Sequence, residues 1–303
     1  MTTAALSPPP PPPVTPWRRL QASLYRHRVT QVLVLLAPPA GWFGVVYLGS
    51  LVVLFISAFW YLDPLTSAIK HDFTLRNFEQ ILTVPVYRTI VLRTVLVASV
   101  VTLLDIGLAF PIAYFMARIA RGRMRAVLFA AVLLPLWTSY LVRVFAWRTI
   151  LSVGGPVDWL FAQVGLPGVS LHNTEIAMVI VFTYLWLPYM ILPIYAGLER
   201  IPSSLLEASA DLGARNAFTF RRIVWPLAMP SIAAGSIFTF SLTLGDYITP
   251  QLVSNAQFIG NVVYDSQGVA GNVPFAAAFA TMPVLIMGIY LLLMRRLGAF
   301  DAL

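Results

Sequence analysis

The sequence predicts an all-α, polytopic membrane protein with six transmembrane helices and both termini on the cytoplasmic side. Three observations predict it. Of 303 residues, 59% are hydrophobic and only 11% charged, against about a quarter charged in a soluble domain. Six stretches are free or nearly free of charge and long enough for the ~20 apolar residues of a bilayer crossing. Arginine gathers at alternate ends of those stretches.

Residues 1–30 open with a proline run, Pro8 to Pro13, followed by Arg18, Arg19, Arg26 and Arg28. Such a composition favours extended polyproline II and builds no core, so it reads as a solvated cytoplasmic tail. The apolar stretch after Arg28 continues uncharged to Asp63, too long for a signal-peptide h-region, which makes it a retained first span. Pro38, Pro39 and three glycines there predict a late start or a kink. The other five spans lie between Arg93 and Arg118 (interrupted by Asp105), Arg125 and Arg143, Glu175 and Glu199, Arg222 and Asp246, and Asp265 and Arg295. Residues 31–303 thus form a single transmembrane domain, with no room for a second, soluble one.

With the N-terminus inside, fourteen of the twenty basic residues fall on inner segments, in clusters at 18–28, 118–125, 200–222 and 295–296. Lys70, Arg76, Arg88, Arg93, Arg143 and Arg148 fall outside, together with Asp63, Asp72, Glu79, Asp158 and Asp265. That asymmetry sets an N-in, C-in topology and accounts for the net charge of +8 without a nucleic-acid partner. Two outer segments, 73–82 and 156–165, have the makings of short helices lying on the membrane or packed as plain loops.

The composition removes several chemistries. No cysteine is present for disulfides, thiolate metal sites or a thiol nucleophile. The single lysine, Lys70, follows no glycine-rich loop, so no P-loop can be built. His27, His71 and His172 are far apart and outside the spans, which argues against metal or hydrolytic catalysis.

The most informative segment is 198–226. Pro202 can open a helix, Ser204 and Glu207 have capping-box spacing, and Leu205, Ala208 and Leu212 form one apolar face before Gly213. Asn216 can cap a second helix through Phe218, Phe220 and Ile223 until Pro226. Two short helices at an angle, with no membrane to cross, suit docking into a groove on another protein, or resting on lipid headgroups.

Glu207-Ala208-Ser209, then Gly213, Ile223 and Pro226, resembles the EAA signature of permease subunits of binding-protein-dependent ABC importers, with Ser209 for the usual second alanine and Trp225 for the usual leucine. The resemblance extends over about residues 73–295 and implies that these residues couple the chain to an ATPase. Leu136 to Trp147 and Gly245-Asp246-Tyr247-Ile248-Thr249-Pro250 are similar to segments of the spermidine/putrescine-type permeases. The family implies a homologous second permease, an ATPase pair that holds ATP and magnesium, and a periplasmic solute-binding protein. This chain would itself hold no cofactor and would not be an enzyme.

Within the membrane, Asp105 lies about 18 Å from either flank of its span, where a carboxylate must face protein or water. It can serve the solute path or bond a neighbouring helix. Asp246 lies about 24 Å beyond Arg222 on a regular helix, as solute contact or capping group. Trp137, Tyr140 and Trp147 share one helical face, either bundle core or a pore wall for a cation. With Tyr247, these make up the expected substrate pathway. An ion-coupled secondary transporter using Asp105 as a proton site is the rival, although no inverted repeat is visible. An intramembrane enzyme and a receptor or assembly scaffold are weaker alternatives.

Overall fold

The computed structural model describes residues 28–165 and 171–298. The proline-rich tail lies outside them up to residue 27. The chain divides into two compact units, one ending at Ile56 and one beginning at Ser57.

The first unit is a helical rod, α1 (Arg28–Trp42), which continues through a π-helical turn (Phe43–Leu48) into α2 (Gly49–Ser57). The helix starts at Arg28, not late, and runs through Pro38 and Pro39, with a π turn following at once. Proline withholds an N–H and crowds the carbonyl four residues back, and a widened turn takes up the mismatch. Two further π turns, Phe115–Ile119 and Phe220–Val224, also lie within four residues of a proline, Pro111 and Pro226.

The second unit opens with a two-residue β-hairpin that the all-helical reading did not foresee, β1 (Tyr61–Leu62) paired with β2 (Ile69–Lys70). Of the two readings of 73–82, the helical one holds over Arg76–Thr83, helix α3. It buries Asn77 and Ile81, and Asn77 Nδ2 donates to the carbonyls of Ala58 and Trp60 at 2.9 and 2.7 Å. The long helices follow: α4 (Pro85–Tyr114, extended by its π turn), α5 (Gly122–Trp137), α6 (Tyr140–Ile150), the short α7 (Pro156–Gln163) and α8 (Glu175–Glu199). After the loop helices α9 (Ser203–Asp211) and α10 (Asn216–Thr219) come α11 (Trp225–Gly245), α12 (Ile248–Val253), α13 (Ile259–Gly268) and α14 (Val273–Arg295).

Two of the expected spans need correction. The third is broken: α5 and α6 meet at 96°, because Thr138 and Ser139 are extended and Thr138 turns its hydroxyl back to the Pro135 carbonyl at 2.7 Å. The fifth begins before Arg222, its expected inner flank. Residues Asn216–Gly245 form one 30-residue helix, and Pro226 sits near the start of α11, where its missing N–H is cheap once the π turn precedes it. The stretch 246–268 carries α12 and α13 ahead of the last span. Among the described residues, five continuous helices and one bent pair are long and apolar enough to cross a membrane.

Helices α4, α8 and α11 form the centre and pack on one another. Toward the Leu198 end, Ala109, Phe110 and Met116 meet Met190, Ile194 and Leu198 across Ala228 and Ile232. Toward the other end, Val97 and Val101 meet Val181 and Leu185, while Phe240 and Leu244 join Phe275 and Phe279. The α8–α11 crossing depends on glycine: a Cβ on Gly235 would stand 2.8 Å from Met190 Sδ, and one on Gly197 would collide with the Ser231 side chain. Such approach is how helices gain contact where no water drives them together.

The Leu198 end is fastened by arginines. Arg118 Nη2 donates to the carbonyls of Leu198 and Ile201 at 2.5 and 2.7 Å. Arg125 donates to Met116 and Ala117 at 3.2 and 3.0 Å and pairs with Glu199 at 2.8 Å. These carbonyls belong to helix ends, which have no partner within the helix.

Candidate docking loop and solute path

Helix α9 begins two residues earlier than the Ser204–Glu207 spacing implies. Pro202 is its N-cap, in extended conformation, and no side chain caps it. The Ser204–Glu207 box therefore does not form, since Ser204 already lies inside the first turn; Glu207 is exposed. Asn216 likewise does not cap, because Arg215 takes that position. Gly213 ends α9 as expected, with φ +73° and its N–H on the Ala210 carbonyl at 2.8 Å, while Ala214 N–H reaches Ser209 at 3.1 Å. This left-handed turn favours glycine.

The turn folds α9 against α10. Ser209 is buried (6% exposed), and its hydroxyl bonds Thr219 Oγ1 at 2.7 Å. The serine that departs from the usual alanine thus ties the two helices together. Between them runs a 610 Å³ groove lined by Leu205, Ala208, Leu212, Phe218 and Ile223 among others. Leu212 is 88% exposed, an apolar surface without a membrane-crossing role. Of the expected coupling residues, Ala208, Ser209 and Ile223 line the groove, Gly213 shapes it, and Pro226 stands exposed beyond it on α11.

At the opposite end of α11, Asp246 is the C-cap. It is nearly buried, and its carboxylate accepts from the Ile248 and Thr249 N–H groups at 2.8 and 3.3 Å, from Thr249 Oγ1 at 2.8 Å, and from the Tyr140 hydroxyl. Tyr140 stacks on Trp186, centroids 5.8 Å apart and planes within 10°. Tyr247 stacks on Tyr264 at 4.8 Å. Tyr140, Trp186, Ser241, Leu242, Gly245, Asp246 and Tyr247 line a 340 Å³ pocket. Asn261 steadies its floor by donating to the Tyr247 carbonyl at 2.9 Å.

The aromatic stripe of Trp137, Tyr140 and Trp147 does not exist as a helical face. The chain bends between Trp137 and Tyr140, which leaves Trp137 83% exposed on α5. Tyr140 and Trp147 remain together on α6, where Trp147 meets Tyr184 at 5.2 Å. Asp105 is 0% exposed, and neither of its oxygens has a hydrogen-bond partner. It shares its face of α4 with the buried Ala98, Val101 and Ala109.

Two residues escaped the sequence reading. Trp186 was an aromatic among many in an apolar run, and only its stacking on Tyr140 marks it. Arg143, taken as an outer flank, is 8% exposed on α6 with Nε and Nη1 unpartnered. The break in the third span, invisible to hydropathy, carries it inward.

Residues 109–300 match the family described as binding-protein-dependent transport system inner membrane component. The chain is similar to the inner membrane ABC transporter permease protein YdcU of Escherichia coli (strain K12), 47% identical over 286 residues, 90% of this chain and 91% of the relative. It is also similar to the spermidine/putrescine transport system permease protein PotB of the same organism, 32% identical over 234 residues, 76% of this chain and 84% of the relative. Among solved structures, a bacterial alginate ABC transporter in complex with alginate pentasaccharide-bound periplasmic protein has a chain of the same fold, TM-score 0.73 at 16% identity, covering 94% of this chain and 98% of that one.

Proposed function

The chain belongs to the inner membrane components of binding-protein-dependent transport systems, and from that premise we propose that it is the permease subunit of an ATP-driven importer of polyamines such as spermidine or putrescine. Family membership makes it a transport subunit rather than an enzyme, with ATP hydrolysis in a separate chain. It also replaces ion-coupled secondary transport through Asp105.

The observation that carries the reading is the α9–α10 loop. An exposed apolar groove shaped by a left-handed glycine and tied by Ser209 and Thr219 has no use within a bilayer span, and it suits a helix-and-groove contact with an ATPase. With the N-terminus inside, that loop lies in the cytoplasm with the ATPase pair, which holds ATP and magnesium. The pocket at Asp246 then opens toward a periplasmic binding protein, and a second, homologous permease completes the path.

The solute assignment rests on PotB and on the chemistry of the Asp246 pocket. A polycation leaving water regains part of its hydration energy from a carboxylate and from ring faces, about 0.5–2 kcal/mol for each aromatic contact. Asp246 already accepts four hydrogen bonds, which spread its charge. A site that attracts weakly also releases, as passage requires. Tyr140, Trp186 and Tyr247 supply the rings.

Uptake of labelled putrescine and spermidine into vesicles holding the full complex tests this. Asp246→Asn should slow uptake more than it reduces assembly. Saturable uptake of neutral or anionic solutes alone, indifferent to Asp246→Asn, would remove the polyamine and leave the importer.

A further inference from the structure

We propose that Arg118, seconded by Arg125, is the joint through which movement of the docking loop reaches the second unit's central helix α4. The inference rests on the importer reading above and adds the residues that transmit force inside this chain.

The geometry is a chain of polar contacts. Arg118 sits on the π turn that ends α4, and one of its terminal nitrogens bonds both Leu198 and Ile201, the carbonyls on either side of the exit from α8. Ile201 immediately precedes Pro202, the N-cap of α9. A single guanidinium therefore spans from α4 to the residue that launches the docking helix. Arg125, from α5, bonds the carbonyls of Met116 and Ala117 in the same π turn and pairs with Glu199 at the end of α8. Its guanidinium also lies 5.6 Å from the centre of the Tyr195 ring.

Three physical points make this a joint rather than incidental capping. The guanidinium is planar, permanently charged and offers five donors, so it holds two acceptors in a fixed relation. Carbonyls at helix C-terminal ends carry the negative pole of the helix and hold a cation strongly. The bonds fall on carbonyls, which constrain position while allowing rotation. A pull on α9 is thereby delivered to the end of α4, and α4 packs along its length on α8 and α11, the helix that ends in Asp246. Arg118 is thus a positioning residue: it touches no solute and acts through the backbone of Leu198 and Ile201.

The test uses the full complex in vesicles and reads labelled putrescine moved per ATP hydrolysed. Arg118→Met keeps an unbranched stem and removes both bonds. It should leave assembly intact and lower the solute-per-ATP ratio by about tenfold or more, because hydrolysis proceeds without delivering movement. Arg118→Lys, whose ammonium keeps the charge and donors on a freely rotating stem without the planar fork, should recover part of the ratio. An Arg118→Met complex with the wild-type ratio would overturn the proposal. If that variant does not assemble, spin labels decide. The chain has no cysteine, so Ile119→Cys with Ser204→Cys labels the two sides of the joint in a chain that keeps Arg118. Their separation should hold constant when ATP is added, and a change of about 5 Å, one helical turn, would overturn the joint. A complex that hydrolyses ATP but takes up no cationic solute would fail the solute reading, while the label distance would still judge the joint.

Discussion

Replacing Gly213 isolates the shape of the docking loop from its chemistry. The residue has φ +73°, and a Cβ built there meets nothing within 4 Å, so Gly213→Ala changes backbone preference and no contact. The left-handed conformation costs a residue with a Cβ about 1–2 kcal/mol. At 1.4 kcal/mol per factor of ten, the turn's population falls about 5- to 30-fold. ATP hydrolysis stimulated by loaded binding protein, normalised to assembled chain, should fall within that range. Gly213→Asn, whose short amide tolerates this region, should lose less. Gly213→Pro fixes φ near −65° and deletes the N–H that bonds Ala210 at 2.8 Å, so stimulation should vanish. Stimulation at the wild-type level by both the alanine and the proline variants, at equal assembly, would refute the reasoning that this turn presents the groove to the ATPase.

Gly235→Val should lower the thermal midpoint of the detergent-solubilised complex, at a cost of about 1–3 kcal/mol from overpacking against Met190; an unchanged midpoint would mean that α8 and α11 can separate freely. Reporter fusions after Gly122 and Arg215 should report cytoplasm, and fusions after Asp72, Asp158 and Gly271 periplasm; a periplasmic signal at Arg215 would contradict ATPase docking. The Asp63 carboxyl is held below its ordinary range first by the Leu65 N–H at 2.9 Å, then by Thr66, with Lys70 contributing least. A lowered pKa in the folded state gives stability that is complete above the unfolded value and lost as pH falls through the lowered one. Protection of the Leu65 amide, corrected for intrinsic exchange, should stay level from about pH 8 to pH 5 and fall only below about pH 4. Loss of protection already at pH 6 would assign the hairpin's stability elsewhere.

How much was legible from residues alone follows a physical division. Hydropathy is a sum over local sequence, so the apolar stretches could be read directly. Gly213 was legible for a similar reason: a left-handed turn after an amphipathic run is a local backbone demand. The capping residues were not: Pro202 and Arg215 occupy those positions in place of Ser204 and Asn216. A helical wheel assumed that Trp137 and Tyr140 shared one axis, yet two extended residues turned that axis by 96°. Pro226 was read as a stop, although a π turn lets the helix continue through it.

The Asp246 pocket was the least legible part. In a bilayer span almost every side chain is apolar, so periodicity gives little sign of which face packs and which faces lipid. The sequence by itself determined that this is a membrane-embedded permease with a pair of short helices between its fourth and fifth spans. Only the tertiary structure decided that Tyr140 and Asp246, 106 residues apart, share a hydrogen bond beside Trp186, that Asp105 is fully buried, and that Arg118 fastens the loop to α4. Such contacts join residues whose separation along the chain carries no local signal; they arise only when the packing of whole helices brings their polar groups within reach.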